Sequence, residues 1–599
     1  MKPIRKLLVA NRGEIARRIF RACDQLGIAT VAVYSDADRD APHVRDAREA
    51  VFIGPAPSRE CYLSIPKMVA AARRTGADAI HPGYGFLAEN ADFAAACEAA
   101  GIVFIGPRSE TIRAMGSKIE ARKIAERAGV PVVPSEGLPL LVKAAAGGGG
   151  KGMRRVDRHE DLDAAMAAAM REAESAFGDG TLLVERYIEG ARHIEVQIAG
   201  DAFGNVTHMF ERECSIQRRH QKIIEESPAP NLAPELRAAI LDAAVRIGRE
   251  IGYSSLGTVE FLVAPSGEFY FLEVNTRIQV EHPVTEMILG LDLVRMQIEI
   301  AEGGAIGIEM VPHGHAIEAR LYAEDAENGF VPSTGRILAW RAPQGVRVES
   351  GIEVGSEIGI HYDPLLAKNI AHAPTRAEAI RKLRRALEDL LVHGVITNRE
   401  FLICVLDHPD FIDGRVSTDF AIPFVHDRSG EAEGKAAMGV YLSAQRLAAR
   451  KILPHVPDGY RNNPFGAERR SEGRVVSIGA GNVRAEIDGI QREYVISEDG
   501  GQYWVNGHTF PRVPRYPASG SRASGESASS PMPGQVLRIL VAQGSEVRIG
   551  DPLVVLEAMK MEQTIYAHAD GIVDQVLVTT GQVVAPGQTL VRISGKETV

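Results

Sequence analysis

No stretch of the chain is apolar for long enough to cross a bilayer, which takes ~20 residues as a helix. Positive charge is not in excess either. Lys plus Arg number 68 against 78 Asp plus Glu, a formal net charge of −10, so the electrostatic footprint of a nucleic-acid surface is missing. Cysteine is sparse: Cys23, Cys61, Cys97, Cys214 and Cys404 are scattered, odd in number and without CxxC spacing. This excludes a disulfide frame and a cysteine zinc site, and reads as reduced thiols in a reducing compartment. No leader-like segment stands ahead of the first apolar run, Leu7-Leu-Val-Ala10, so the cytoplasm is the expected location. What is there is ordinary for globular protein: 45% apolar over 599 residues, enough for roughly four domains at ~150 residues each.

Short apolar runs at 7–10, 29–34, 79–81 and 103–105 alternate with segments of helical spacing, predicting a doubly wound α/β domain with parallel strands. Asn11-Arg12-Gly13-Glu14 follows the first run, where such a sheet places its ligand-facing turn, although no GxGxxG is present. A helix to Gly129, a Pro-rich break and a compact β-rich segment over 138–188 come next, then a large α+β region to about residue 428. Past 430 the pattern predicts an amphipathic helix near 435–452 and short strands near 473–478, 483–487, 493–497 and 502–505. Residues 514–530 are rich in Ser, Gly and Pro, cannot bury a core and read as a flexible linker. Such a linker spans roughly 20–24 Å coiled and about 55 Å taut.

Two matching half-sequences follow. Gly534-Gln-Val-Leu-Arg-Ile-Leu-Val-Ala-Gln-Gly544 has its counterpart 37 positions on, in Gly571-Ile-Val-Asp-Gln-Val-Leu-Val-Thr-Thr-Gly581. Alternating apolar residues with Gly turns predict strands, and two such halves fold by quasi-two-fold symmetry into a flattened barrel. Lys560, in Glu557-Ala-Met-Lys-Met-Glu562, falls at the hairpin tip between the halves, the natural place to attach a prosthetic group.

The chemistry clusters upstream. Lys143-Ala-Ala-Ala-Gly147-Gly-Gly-Gly150-Lys151-Gly152-Met153 lies between strands, and Gly152 after Lys151 excludes a Walker A loop. Its glycines still let backbone N–H groups approach a polyphosphate, with Lys118 and Lys143 for charge and an edge strand at 185–188 for adenine. Gly257 to Asn275 reads as a hairpin turning at Ser266-Gly267; with a two-residue loop, Glu260 and Glu273 lie opposite one another. Facing like charges repel, and a divalent metal resolves the cost: oxygen-only ligands with Asn275 alongside favour magnesium or manganese. In Asn275-Thr-Arg277-Ile-Gln279-Val280-Glu281 an extended backbone puts Arg277, Gln279 and Glu281 on one face. Cation, amide and carboxylate together suit a small anion that must be held and deprotonated. Ser215 to Lys222 adds a dense polar cluster, which on composition alone is more often a solvated basic face but here borders the proposed nucleotide site.

The Met-Lys-Met setting of Lys560 at the pivot of the repeat resembles the biotinyl carrier domain of biotin-dependent carboxylases. Met115–Lys118, Lys143–Met153, Gln217–Lys222, Glu260, Glu273–Arg277 and Gln279–Pro283 resemble the biotin carboxylase member of the ATP-grasp enzymes, over about residues 3–428. So do Asn11–Ala16 and His81–Asn90. The resemblance implies that Lys118, Lys143, Gly148, Gly149, Gly150, Met153, Glu185, Tyr187, Ile188, Gln217 and His220 contact ATP, with His193 bordering it. It implies Glu260, Glu273 and Asn275 as ligands of Mg2+ or Mn2+, and Lys222, Arg277, Gln279 and Val280 as the bicarbonate cradle. Glu281 is then the general base, with Lys222 and Arg277 also catalytic; Arg347 stabilises the biotin enolate, and Lys560 carries biotin. ATP would activate bicarbonate as carboxyphosphate, whose breakdown delivers carbon dioxide to biotin.

The implied domains are 1–113, an N-terminal α/β domain; 114–188, the ATP-grasp linker and lid; 189–428, an α+β C-terminal domain; 429–513, a reduced helix-plus-β-barrel docking domain; the 514–530 linker; and 531–598, the biotinyl barrel. Between Gly137 and Leu138 the family carries a further acidic stretch and helix that this chain lacks, so either the lid is reduced or a segment is left out of the sequence. The implied whole is an acyl-CoA carboxylase α subunit. Its partners would be a carboxyltransferase β subunit, in a hetero-oligomer such as a dodecamer, biotin protein ligase and bicarbonate, with no nucleic acid and no membrane. The acyl-CoA stays open. A different ATP-grasp ligase would need neither Lys560 nor Glu281 with Arg347, and a bare carrier would leave the first 430 residues idle.

Overall fold

The computed structural model describes residues 3–145, 153–218, 221–307, 310–422, 424, 429–449, 473–479, 481–499, 501–512, 527–559 and 561–594. The first domain is a parallel sheet of β1 (Lys6–Val9), β2 (Ala29–Ser35), β3 (Glu49–Gly54), β4 (Ala79–His81) and β5 (Val103–Phe104), in the order β3-β2-β1-β4-β5. Leu7 and Val9 enter one core with Ile15, Ile19 and Phe20 of helix Gly13–Leu26; Leu8 enters another with Met68 and Phe93 from two helices on the opposite face. Burial on both faces explains why β1 reads as an uninterrupted apolar run. The edge strand β3 alternates exposed and buried residues and escapes a search for solid apolar runs.

The lid is a three-stranded sheet, β7-β6-β8, of β6 (Leu140–Ala144), β7 (Arg154–Val156) and β8 (Leu182–Arg186). The expected β-rich segment also contains a helix, Leu162–Phe177. Its residues Leu162, Ala165, Met166 and Ala169, at helical spacing, cover Leu140, Val142 and Val156. Across the short Gly137–Leu138 junction the chain stays tied to the lid: Arg186 N–H donates to Pro134 O and Tyr187 N–H to Pro139 O, at 2.7 Å each.

The α+β region is built on an eight-stranded sheet. Its strands β9 (Arg192–Gly200), β10 (Val206–Arg218), β11 (Gln221–Ser227), β12 (Ser255–Val263), β13 (Phe269–Asn275) and β14 (His315–Tyr322) run in the order β13-β12-β9-β10-β11-β14, followed by Leu365–Ala373 and Arg347–Ser350. Helix Pro234–Glu250 packs on Ile194, Ile198 and Phe261, and helix His282–Leu289 on Ala316 and Ile370.

Beyond it, helix Ser429–Ala449 lies against a five-stranded meander, Gly473–Gly479, Asn482–Ile487, Ile490–Asp499, Gln502–Val505 and His508–Pro511, through Ala437 and Val440. The last strand is absent from the sequence expectation. The carrier domain has two four-stranded sheets. One holds Ser527–Ser529, Thr589–Ser594, Gly571–Val576 and Glu546–Val547; the other holds their symmetry mates Met561–Tyr566, Pro552–Ala558, Gly534–Ile539 and Val583–Val584. The linker expectation is too long at its C-terminal end: Ser527–Ser529 is a strand, and Ala528 and Ser530 are buried in the barrel. Ala558 pairs with Met561, so the strand pair turns directly after Ala558, and Met559 takes φ 49°, the positive value that a tight hairpin turn requires. Met559 N–H donates to Ile360 O of the α+β region at 2.8 Å, and Val331 and Ile360 pack against the barrel core. Lys560 itself lies outside the described residues.

Candidate active site

The β12–β13 hairpin places Glu260 opposite Glu273, but not through a two-residue loop. Val263 pairs with Phe269 and Phe261 with Phe271; a bulge then takes up Leu272, and the register beyond it joins Glu260 to Glu273. Asn275 Nδ2 donates to Glu260 Oε1 at 2.9 Å, and His193 Nε2 lies 2.9 Å from Glu260 Oε2. Burial, then Glu260 and Glu89, push the Glu273 carboxyl up, whereas Lys222 and His193 overcome burial and hold Glu260 well below the usual range. A buried carboxylate, a half-buried one and an amide alongside fit a hard divalent cation, and Glu260, Glu273 and Asn275 would hold it.

Lys222 is the centre of the charge arrangement. Its Nζ lies 2.8 Å from Glu260 Oε1 and 2.8 Å from Glu281 Oε1, and also contacts Glu195. Burial works against its charge, yet these three glutamates keep it protonated far above neutrality. Burial also disfavours ionised Glu281, but Lys222, Arg320 and Arg212 hold it well below the usual carboxylate range. Arg320 Nη2 donates to Glu281 Oε2 at 3.0 Å, so both oxygens of the predicted base are gripped by cations.

The 276–281 segment is irregular, but the alternation read from the sequence holds. Ile278 points into the apolar core while Arg277 Nη1 donates to Gln279 Oε1 at 2.7 Å and Gln279 Nε2 to Glu260 Oε1 at 3.1 Å. Arg277 is further fixed by Glu89 at 2.8 Å and Asn275 Oδ1 at 2.9 Å.

These groups open onto a cavity of about 760 Å³ between the lid, the first domain and the eight-stranded sheet. Lys118, Lys143, Met153, Glu185, Tyr187, Ile188, His193 and Gln217 line it, as do Lys222, Glu260, Glu273, Asn275, Arg277, Gln279, Val280 and Glu281. Lys118 Nζ donates to Ala144 O at 3.1 Å, and burial lowers its pKa; Lys143 is paired with Glu185, itself 3.1 Å from Arg122 Nη1. Gly148, Gly149, Gly150 and His220 lie outside the described residues.

Arg347 is the exception. It does not line the cavity and is held by Glu286 and Glu349, at 2.7 Å each, beneath helix Gly13–Leu26. Arg12 and Glu14, from the turn expected to face a ligand, also line the cavity; the structure adds Tyr84, Arg320 and Tyr362 to the lining, and Glu195, which grips both Lys222 and Arg212 behind it. A period-two signal was available for Glu195. In β9, polar His193, Glu195 and Gln197 alternate with Ile194, Val196 and Ile198, and the polar row faces the site.

Comparison with known proteins identifies the domains that carry this site. Residues 3–112 match the family described as biotin carboxylase, N-terminal domain; 108–308 match carbamoyl-phosphate synthase L chain, ATP binding domain; and 318–422 match biotin carboxylase C-terminal domain. Residues 526–593 match biotin-requiring enzyme, so a biotin carboxylase is followed by a biotin-bearing domain. The rice mitochondrial methylcrotonoyl-CoA carboxylase subunit alpha is 42% identical over 98% of this chain and 94% of its own length. The biotin-dependent acyl-coenzyme A carboxylase alpha3 subunit of Mycobacterium leprae is 42% identical over 98% of both. Among solved structures, the biotin carboxylase domain of Hydrogenobacter thermophilus 2-oxoglutarate carboxylase, in complex with MgADP and bicarbonate, is 45% identical with a TM-score of 0.68, covering 70% of this chain and 100% of that one. The chain belongs to the α subunits of biotin-dependent acyl-CoA carboxylases. It is an ATP-dependent enzyme that carboxylates biotin borne on its own polypeptide, with covalent biotin, ATP and Mg2+ as cofactors.

Proposed function

We propose that Lys222, Arg277, Gln279 and Val280 hold bicarbonate, that Glu281 removes its proton, and that Lys118, Lys143 and the cation site at Glu260, Glu273 and Asn275 offset charge on the transferring phosphoryl group. The observation carrying this reading is the Lys222 ammonium, 2.8 Å from both Glu260 and Glu281, which joins the phosphate-side carboxylates to the base. In the resting arrangement Glu281 is too well paired to be a strong base. An anion taking over Lys222 relieves it, so basicity rises only when bicarbonate is present. Glu260, Glu273 and Asn275 would hold magnesium, which would offset negative charge on the nucleotide phosphates. Biotin on Lys560 accepts the carboxyl group, a role supported by the contact of its neighbour Met559 with Ile360, two residues from the cavity-lining Tyr362. Arg347 reaches biotin only after leaving Glu286 and Glu349.

The carboxyl group then passes to an acyl-CoA on a separate carboxyltransferase β subunit, a reading supported by relatives that are themselves α subunits of acyl-CoA carboxylases. Assembly with that subunit in a hetero-oligomer such as a dodecamer, through the unit at 429–449 and 473–512, and biotinylation by a biotin protein ligase complete the reading. The acyl-CoA is chosen by the β subunit. Among the described residues no helix is long and apolar enough to cross a membrane. The cytoplasmic assignment is supported by five cysteines that form no disulfide, four of them buried, which suit any reducing compartment. The test is ATP cleavage by the isolated chain. It should depend on both bicarbonate and biotin; a folded, ATP-binding chain without that dependence would contradict the reading.

A further inference from the structure

Behind Glu281 the sheet carries a second carboxyl pair to which nothing above gives a role. β11 and β14 pair antiparallel with Glu225 directly opposite Glu318. Both residues are 0% exposed. Among the described residues neither oxygen of Glu318 accepts a hydrogen bond, and Glu225 has only the ion-pair contact of Arg320. Cross-strand partners sit ~5 Å apart at Cβ, and two ionised carboxylates at that spacing, away from water, repel too strongly to persist together.

The neighbouring charges are already committed. Lys222, on β11, is held by Glu195, Glu260 and Glu281. Lys368, on strand Leu365–Ala373, donates to Val280 O at 2.9 Å and lies 3.3 Å from Glu14. On the covering helix burial keeps His282 neutral, while Glu286 is engaged by Arg18 and Arg347. Cys214 on β10 and Tyr322 on β14 are neutral groups whose pKa values burial raises. Arg320 is the cation the pair shares with the site. Two residues from Glu318 on the same face of β14, its Nη2 touches Glu225 and, at 3.0 Å, Glu281.

We propose that the facing pair Glu225 and Glu318 holds one proton on Glu318 while Glu225 exchanges its own, so that the pair acts as a positioning device that sets how firmly Arg320 holds the base Glu281. With Glu225 neutral, Arg320 belongs to Glu281 and keeps it a weak base. When Glu225 ionises it competes for Arg320, and Glu281 gains basicity. Burial pushes Glu225 up to about 7 against the pull of Arg320, and pushes Glu318 well above the carboxylate range. No proton needs to reach bicarbonate from the pair; the link is through Arg320 alone.

The inference rests on Glu281 as the base, and the experiment separates the two. Bicarbonate-dependent ATP cleavage by the full biotinylated chain is followed against pH with added free biotin, at constant bicarbonate. The wild type should show kcat rising on the order of threefold through an inflection near neutrality. Glu225→Gln should fix kcat at the low-pH level, remove the inflection and leave the KM for ATP unchanged. Glu318→Gln, an amide in place of a carboxyl already neutral, should keep the inflection. Infrared difference spectra of the wild type should show one protonated-carboxyl band surviving at about pH 8 and lost in Glu318→Gln, a reading that needs no activity. A Glu225→Gln profile superimposable on the wild type, or no protonated-carboxyl band at about pH 8, overturns the proposal. Full turnover in Glu281→Gln would instead overturn the assignment of the base.

Discussion

Replacing Lys222 by Met tests the charge arrangement at its densest point. The side chain is 13% exposed, with Glu260 and Glu281 at 2.8 Å each and Glu195 in contact. Methionine fills much of the same space, so the loss is one of charge. Removing one partner from a buried ionic cluster costs about 3–5 kcal/mol, because the charges left behind are uncompensated. The sign with pH follows from the carboxylates. Glu281 and Glu260 lie below their ordinary range in the folded protein, so the stability they contribute is present in full above the unfolded value of ~4.3 and is lost as pH falls through the folded values. In the variant those carboxylates lose their cation, their folded pKa values rise, and they take up protons under milder acid. The deficit is therefore largest near about pH 8 and narrows toward about pH 5.5. Scanning calorimetry of the carboxylase transition at both pH values measures it. A variant as stable as the wild type, or a deficit equal at the two pH values, would refute the claim that Lys222 neutralises these groups.

Other outcomes follow from single contacts. Glu281→Gln should lower bicarbonate-dependent ATP cleavage on the order of 100-fold while ATP binding, followed by calorimetry, stays within about threefold, since Gln keeps the shape and loses the base. Lys560→Arg should abolish avidin-detectable biotin and leave ATP cleavage supported by free biotin intact; loss of both would mean that carrier and catalyst are not separable. Val331→Asp, in the patch where the barrel rests on the carboxylase, should slow carboxylation of the chain's own biotin about tenfold without changing the rate on free biotin. Chelation of divalent ions should stop ATP cleavage and added Mg2+ should restore it, with Glu273→Gln raising the Mg2+ concentration required.

Where sequence periodicity meets two-sided burial, the fold was legible. Leu7, Leu8 and Val9 announce a central parallel strand because both faces of β1 are covered. The carrier repeat was legible apart from its first strand, Ser527–Ser529, which was read as linker; the two sheets are exchanged by the 37-residue shift. The facing of Glu260 and Glu273 was right for an incomplete reason: the bulge at Leu272, which sequence spacing does not reveal, restores the register. Helix Leu162–Phe177 was lost among alanines whose weak apolar contrast hides a helical stripe. Arg320, Glu225 and Glu318 were overlooked because charged residues inside apolar strands count against a strand when only hydrophobicity is read, although two of them alternate in register along β14. For Arg347, residue type and motif predict a role but not a rotamer, and in this structure the nearest carboxylates, Glu286 and Glu349, hold it away from the cavity.

The central claim is that one chain both activates bicarbonate with ATP and loads the carboxyl group onto its own Lys560. Incubating the purified, biotinylated chain with radiolabelled bicarbonate, ATP and Mg2+ in the absence of a β subunit measures it directly. The account predicts acid-labile label on the polypeptide, ATP-dependent, sensitive to avidin, and absent from Lys560→Arg and Glu281→Gln. A folded, biotinylated chain that binds ATP and acquires no label would contradict it.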